Sequence, residues 1–242
     1  MDAMFTDIHH HILWGLDDGP DTYEKMTRML DAAAADGTRL IIATPHAAPG
    51  IEPFDLDTYR AALEQANAYC RCAGLPLEVR GGAEVFYTQS AVRMLRTGQI
   101  PTLADSGYVL VEWGENETEA AVADAIIRLQ GEGFIPVMAH VERLRCFLRN
   151  PARLIALRAS CVIRLQVNCG AVLRGPLTRE YRFVRRLCRE GMLDFVASDA
   201  HNVTGRPTRM RLAHEKLTQL CGQAGADALM VLNPAEIVMH KR

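Results

Sequence analysis

The sequence lacks any long apolar run, and its start, MDAMFTDIHH, lacks a cationic segment followed by an apolar stretch. A membrane-spanning helix needs about 20 consecutive apolar residues, and a secretory signal needs both parts of that pattern. We therefore expect no transmembrane helix, no direct membrane insertion and a cytoplasmic location.

The chain also lacks an excess of charge, since 27 Lys and Arg against 29 Asp and Glu give a formal net charge of −2. This balance argues against nucleic acid as a partner. Low-complexity stretches, flexible linkers and internal repeats are absent as well. With 49% hydrophobic and 23% charged residues, the composition is typical of a soluble globular protein. We expect one domain spanning residues 1–242.

Cysteine is present, but without the spacing that thiol chemistry needs. The seven cysteines are scattered and contain no Cys-x-x-Cys pair, so buried, reduced thiols are expected. A cysteine-dependent phosphatase needs an arginine that closes its short phosphate loop, and no cysteine here is followed by one at that spacing. The glycine-rich loop of P-loop NTPases is missing too. These two classes of phosphate chemistry are excluded.

Short β-rich runs alternate with helical patterns, which is typical of βα units and a parallel sheet. Seven runs are predicted as strands, over residues 4–8, 40–44, 77–85, 108–112, 135–139, 162–167 and 193–197. Between and after them, helices are predicted over residues 56–73, 118–130, 177–190 and 209–223.

An earlier helix has clear start and stop signals. Asp21-Thr22-Tyr23-Glu24 is typical of a capping box, with Asp21 as the cap and Glu24 three residues later. The apolar stripe of Met26, Met29, Leu30, Ala33 and Ala34 predicts a half-buried helix, and Gly37 predicts its left-handed end.

Imidazole and carboxylate side chains lie at or just past the carboxyl ends of six of the seven predicted strands. They are His9 and His11, His46, Glu84, Glu112, His140, and Asp199 with His201. In a closed parallel barrel that face collects the catalytic groups, and a strand points residues i and i+2 to the same side. Such ligands suit Zn, Mn or Fe, and their number implies more than one ion. The sequence therefore predicts a seven-stranded β/α barrel with a multinuclear hydrolase site.

For other polar residues near this rim, spacing alone does not assign a role as metal ligand. Strand alternation points His10 away, and His214 and His240 fit structural or surface roles better than metal binding. Spacing alone leaves Asp17 and Asp18 as alternative ligands. Asp7 is a candidate for orienting an imidazole, and Asn168, at the end of the sixth strand, suits a hydrogen bond better than a metal.

Two arginines follow the candidate ligands closely. Arg143 comes three residues after His140, and Arg206 comes five after His201. Both belong to loops that overhang the predicted rim, where a fork-shaped guanidinium suits a phosphate or carboxylate.

Together these motifs resemble the PHP (polymerase and histidinol phosphatase) superfamily. Within it the similarity is greatest to the bacterial capsule-type, manganese-dependent protein-tyrosine phosphatases, and it covers nearly the whole chain. The blocks that carry it are Asp7-Ile8-His9-x-His11, Asp17-Asp18-Gly19-Pro20, Thr44-x-His46, Gly82-Ala83-Glu84-Val85, Pro136-x-x-Ala139-His140-x-Glu142-Arg143, Gln166-Val167-Asn168 and Ala197-Ser198-Asp199-x-His201-Asn202-x-x-Gly205-Arg206-Pro207.

The resemblance implies a distorted (β/α)7 barrel with three divalent metal ions, usually Mn²⁺, with Fe, Zn, Co or Mg as other occupants. It implies that Glu84 bridges two ions and that Arg143 and Arg206 bind the substrate phosphate. It also selects Asp18 over Asp17. The implied ligands are His9, His11, Asp18, His46, Glu84, Glu112, His140, Asp199 and His201.

One departure from the resembling proteins concerns the segment after His46. It reads Ala47-Ala48-Pro49-Gly50, where close relatives carry basic residues, so the resemblance does not carry a phosphopeptide contact over to that loop.

The resemblance implies hydrolysis of phosphotyrosine by a metal-activated water, in the control of exopolysaccharide or capsule synthesis. The implied partner is a phosphotyrosine protein such as a bacterial tyrosine kinase of polysaccharide export. Two alternatives are a PHP phosphatase of a small ester such as histidinol phosphate, and a non-catalytic metal-binding regulatory subunit. The sequence leaves the oligomeric state open.

Overall fold

The computed structural model describes residues 4–240. Within this range the chain forms nine strands and ten α-helices. The strands are β1 Phe5–His10, β2 Thr38–Ala43, β3 His46–Ala47, β4 Glu78–Gly81, β5 Glu84–Phe86, β6 Tyr108–Glu112, β7 Ile135–Met138, β8 Arg164–Asn168 and β9 Phe195–Ala197. The helices are α1 Tyr23–Asp36, α2 Leu56–Cys72, α3 Ala91–Arg96, α4 Glu119–Gly131, α5 Arg145–Arg149, α6 Pro151–Ser160, α7 Cys169–Val172, α8 Arg179–Arg189, α9 Met210–Asp227 and α10 Asn233–Met239.

Every strand pairing is parallel, and the pairings follow one circular order. β1 pairs with β2, and β2 with β4; β3 pairs with β5, which continues through β6, β7 and β8 to β9. A bridge between His10 and Ala200 then joins β1 to the chain just after β9. The strands therefore curl into a barrel with the helices around it, as predicted from the alternating pattern.

The predicted strand over residues 77–85 is wrong as a single element, because it is interrupted between β4 and β5 at Gly82-Ala83. The neighbouring chain is interrupted at the same level, between β2 and β3 at Thr44-Pro45. The pairs Ala43–Gly81 and His46–Glu84 on the two sides of the break keep the same offset. Both chains thus bend together without slipping, and β3, which sequence reasoning missed, is the continuation of β2.

Helix α1 shows where the sequence signals were right and where they were not. The predicted stripe Met26, Met29, Leu30 and Ala33 is buried, and Gly37 ends the helix with φ 102°. The cap, however, is Thr22 rather than Asp21. The Thr22 hydroxyl accepts from the backbone N–H of Lys25, while the Asp21 carboxylate forms an ion pair with the Lys25 ammonium at 2.7 Å.

Among the helices of residues 4–240, none combines the length and apolar character needed to cross a bilayer.

Gly82 provides a test of how closely the two bent chains pack. A Cβ at this buried position would lie 2.9 Å from Cγ2 of Ile42 and 3.0 Å from Cδ2 of Leu103. Gly82→Ala should therefore lower the free energy of unfolding by about 1–3 kcal/mol through overpacking. Urea or thermal unfolding measures it.

Gly175→Ala is the matched control, since a Cβ there would meet nothing within 4 Å. Equal stability of the two variants would contradict the packing assigned to Gly82.

Candidate metal centre

The first candidate ligands come from the end of β1, where the strand is irregular. Its register against β2 shifts between Asp7 and His10. Such a bulge re-aims the side chains that follow it. Here His9 and His11 both reach the mouth of the barrel and are fully buried.

Four donor atoms from three chain segments converge there, all within 4.8 Å of one another. Nε2 of His9 lies 3.3 Å from Nε2 of His11. Oε2 of Glu84 lies 3.2 and 3.3 Å from these two nitrogens. Oδ1 of Asp199 lies 3.4 and 3.5 Å from them. Two imidazole nitrogens and two carboxylate oxygens facing one another form a ligand cage for a divalent cation.

Two further groups share members with the first. One contains His11, Asp18, His46 and His201, with Oδ1 of Asp18 3.0 Å from Nε2 of His201. The other contains His46, Glu84 and Glu112, with Nδ1 of His46 3.1 Å from Oε1 of Glu112.

His140 completes the cluster. Its Nε2 lies 2.7 Å from Oε1 of Glu84 and 3.5 Å from Oε2 of Glu112. The structure therefore brings all nine residues predicted as ligands to one place, where three overlapping groups suggest a site for several metals.

A buried atom without a hydrogen-bond partner supports this interpretation. Nε2 of His201 is buried and, despite its closeness to Asp18, makes no hydrogen bond within residues 4–240. A buried imidazole nitrogen left unpaired costs free energy, and a metal ion would satisfy it. The residues present thus fit divalent cations of the kind that take mixed nitrogen and oxygen ligands.

In His9 and His11 the second ring nitrogen is oriented by a partner, as is usual around metal sites. Nδ1 of His11 lies 2.6 Å from Oδ2 of Asp17, and Nδ1 of His9 lies 3.3 Å from Oε1 of Gln166. Asp17 and Asp18 therefore have different contacts: Asp17 orients His11, and Asp18 joins the cluster.

Gln166 stands in one of the blocks that carry the resemblance, but sequence reasoning assigned it no role in the site. Its Oε1 also accepts from the backbone N–H of His140, and its Nε2 donates to Asn168. The signal was weak, namely a polar residue two positions before Asn168 in an apolar strand. Asp7, the residue considered for orienting an imidazole, instead accepts backbone N–H bonds from His9 and Ser198.

Backbone strain marks two of the candidate ligands. His140 has φ 31° and Asp199 has φ 54°, in the left-handed region that residues other than glycine rarely adopt. Each follows the end of a strand, so the turn aims the side chain back over the mouth. Strain of this kind, on the order of 1–3 kcal/mol, is typical of functional sites.

The two carboxylate oxygens of Asp199 have different surroundings. Oδ1 faces the imidazoles, whereas Oδ2 accepts from Nη2 of Arg143 and Nη2 of Arg206, each at 2.8 Å, and from the amide of Asn168 at 2.6 Å. Burial raises the pKa of Asp199, but His9 and His11 outweigh it and hold the pKa far below its usual range. Asp199 is therefore a permanent anion that places both predicted phosphate arginines beside the cluster.

A cavity of about 530 Å³ opens at these arginines. Arg143 and Arg206 line it, and their side chains are 42% and 39% exposed. A phosphate arriving from solvent can therefore reach both guanidinium groups next to the metal ligands.

The histidines excluded from the site lie elsewhere. Burial lowers the pKa of His10 to about 3, and its Nε2 lies 3.0 Å from the hydroxyl of Thr208. His214 lies 2.7 Å from a carboxylate oxygen of Asp227, and the ring of His240 packs edge-on against Tyr108.

Residues 5–239 match the family described as capsular polysaccharide synthesis, CpsB/CapC. The chain belongs to this family. It is 30% identical to the tyrosine-protein phosphatase CpsB of Streptococcus pneumoniae, over 97% of this chain and 98% of that protein. It is 34% identical to the tyrosine-protein phosphatase YwqE of Bacillus subtilis, over 98% of this chain and 92% of that one.

Solved structures show the same fold. A chain from the crystal structures of YwqE and CpsB, described as unique metal-dependent tyrosine phosphatases, matches with a TM-score of 0.88 and 30% identity, covering 98% of this chain and 95% of that chain. The histidinol phosphatase homologue HisK of Listeria monocytogenes matches with a TM-score of 0.55 and 13% identity, covering 83% of this chain and 97% of that one. The predicted PHP-type barrel is thereby confirmed.

Glu84 is the residue whose replacement should be most informative about the number of ions. It belongs to two of the three ligand groups, so a side chain without its negative charge weakens both. Glu84→Gln should lose metal from more than one position. Metal analysis of the purified, manganese-loaded and desalted variant measures the content, and circular dichroism checks its folding.

Glu215→Gln, at an exposed position of α9, is the control and should keep the full content. Full metal content in Glu84→Gln would reject a bridging role for Glu84.

Proposed function

We propose that this protein is a metal-dependent tyrosine-protein phosphatase linked to capsular or exopolysaccharide synthesis. The observation that carries the proposal is the shared carboxylate of Asp199, which contacts the imidazole cluster through one oxygen and Arg143 and Arg206 through the other. One side chain thereby links the proposed metal site to the proposed phosphate site.

We further propose that the nine clustered residues are the ligands of three divalent ions, most readily Mn²⁺, with Glu84 between two of them. Bound ions of this kind supply a water of lowered pKa as the nucleophile and neutralise charge on the phosphoryl oxygens. Asp17 and Gln166 hold the rings of His11 and His9 in the orientation that presents Nε2 to the cluster.

The two arginines bind and orient the phosphoryl group. Their guanidinium groups donate to the same oxygen of Asp199 from different loops, so their remaining N–H groups can fork onto phosphate oxygens. Stabilising the charge on those oxygens in the transition state is the main contribution expected from such donors. A phenolate leaving group, with a pKa near 10, needs less protonation than an alkoxide.

The open position of the arginines favours a protein-borne phosphotyrosine over a small phosphate ester. We infer that the substrate is a phosphotyrosine protein, with a bacterial tyrosine kinase of polysaccharide export as the candidate partner. The complete ligand set and both arginines disfavour a non-catalytic metal-binding subunit.

A direct test compares substrates on the manganese-loaded protein. It should hydrolyse a phosphotyrosine peptide with a much higher kcat/KM than a small alkyl phosphate such as histidinol phosphate. A chelator should abolish activity, whereas thiol alkylation should not, because burial raises the pKa of Cys169, the thiol beside the cavity, well above its usual range.

Preferred turnover of the alkyl phosphate would favour the small-ester alternative. Absence of all phosphatase activity in metal-replete protein would favour the regulatory subunit.

Arg206→Ala tests the phosphate site separately from the metals. Removing one transition-state donor should lower kcat/KM for a phosphotyrosine peptide by about 10²–10³-fold, while the metal content stays that of the native protein. Steady-state kinetics and metal analysis of the same sample provide the two readouts.

Arg211→Ala, an exposed arginine nearby on α9, is the matched control and should leave both unchanged. Unchanged KM and kcat in Arg206→Ala would contradict the role assigned to Arg206.

A further inference from the structure

Helix α8 carries a concentration of positive charge in a protein whose net charge is close to zero. Its 11 residues read REYRFVRRLCR and include five arginines, although the whole chain has a formal net charge of −2. Its apolar residues, including Phe183, Val184 and Leu187, are buried against the core, so the arginines lie on the outer side of the helix.

Most of these arginines have no acidic partner. Arg186 forms an ion pair with Glu190 at 2.8 Å, and Arg182 donates to the backbone carbonyl of Thr178. Arg179, Arg185 and Arg189 form no ion pair with any residue in the range 4–240, and the same is true of Arg149 on α5. We call Arg149, Arg179, Arg182, Arg185, Arg186 and Arg189 the arginine track.

The arginine track is continuous with the phosphate site. The cavity at Arg143 and Arg206 is also lined by Leu148 and by Arg145, which forms an ion pair with Glu115 at 3.1 Å. Leu148 is shared with a second groove of about 500 Å³, which Arg149, Arg179, Arg182 and Arg186 line. A third groove of about 410 Å³ continues from Arg182 and Arg186 to Arg185 and Arg189.

The opposite side of the metal cluster has the reverse character. A groove of about 310 Å³ begins there at His46 and passes Glu52 and Asp55. Among the described residues that line this groove there is neither Lys nor Arg. The two sides of the mouth therefore differ in the charged residues that line them, with Glu52 and Asp55 on this side and mainly arginines along the track.

We propose that the arginine track binds an acidic segment adjoining the phosphotyrosine, so that preferred substrates carry several Asp or Glu residues on one side of that tyrosine. The proposal rests on the proposed phosphatase function. The linear run of grooves suits an extended chain, whose carboxylates would pair with successive guanidinium groups.

An anionic lipid surface fits the same charges less well. Membrane-surface binding usually combines basic residues with a row of exposed apolar side chains. Of the large exposed apolar side chains among residues 4–240, none lines either groove of the arginine track.

The test uses the manganese-loaded full-length protein and three phosphotyrosine peptides. One peptide has three Glu residues before the phosphotyrosine, one has them after it, and one has Gln at all those positions. One of the two acidic peptides should show a KM about tenfold lower than the Gln peptide, since a few exposed ion pairs together contribute on that order. Its advantage should shrink as salt is added.

The variant Arg149→Gln/Arg179→Gln/Arg182→Gln should lose that tenfold advantage while keeping native kcat and KM on the Gln peptide. A matched variant, Arg28→Gln/Arg71→Gln/Arg93→Gln, removes the same charge from exposed positions on α1, α2 and α3 and should keep the advantage. Circular dichroism confirms that both fold.

Equal KM values for all three peptides on the native protein would overturn the arginine-track proposal but leave the phosphatase function intact. Failure to hydrolyse any peptide would instead overturn the phosphatase function. A third outcome would reassign the surface to a membrane. In that case the KM values are equal, the native protein sediments with phosphatidylglycerol vesicles, and the triple variant at Arg149, Arg179 and Arg182 does not.

Discussion

Two buried carboxylates, Glu84 and Asp199, are the constraint on which the mouth of this barrel depends. Their exposed fractions are 1% and 3%, and a carboxylate removed from water costs several kcal/mol unless positive charge or hydrogen bonds compensate it. Burial raises the pKa of Glu84, yet the imidazoles around it outweigh this effect and hold the pKa well below its usual range. Both side chains are therefore anions. Imidazoles surround both of them, and Asp199 also accepts from two guanidinium groups and the amide of Asn168.

The interrupted strands explain how those anions come to be buried at the mouth rather than along the barrel wall. β2 and β4 end together, and β3 and β5 begin together after a gap of two residues in each chain segment. The second pair places His46 directly beside Glu84. The bulge in β1 and the left-handed turns at His140 and Asp199 have the same effect, since each bends a strand end inward. Several small backbone departures thus assemble one cluster.

Much of this was predictable because metal ligands occur at strand ends with regular spacing. His9 with His11 and Asp199 with His201 are two residues apart, and the other ligands follow apolar runs that are easy to recognise. Resemblance to a known family, rather than spacing, separated Asp18 from Asp17. The structure gives a physical reason for the difference, since Asp17 is committed to Nδ1 of His11. The break in the predicted strand 77–85 was not visible, because Gly82 and Ala83 are tolerated in a strand and the bend depends on β2 beside it.

The sequence by itself determined the fold class, the family and the residues able to bind metal, because periodicity and ligand chemistry are local properties of the chain. Only the tertiary structure decided which oxygen of Asp199 faces the imidazoles and which faces the arginines, that Gln166 orients His9, and that Arg149 lies beside α8. These facts join residues far apart in the chain, and distances of that kind are set by how the strands curl and the helices pack around them.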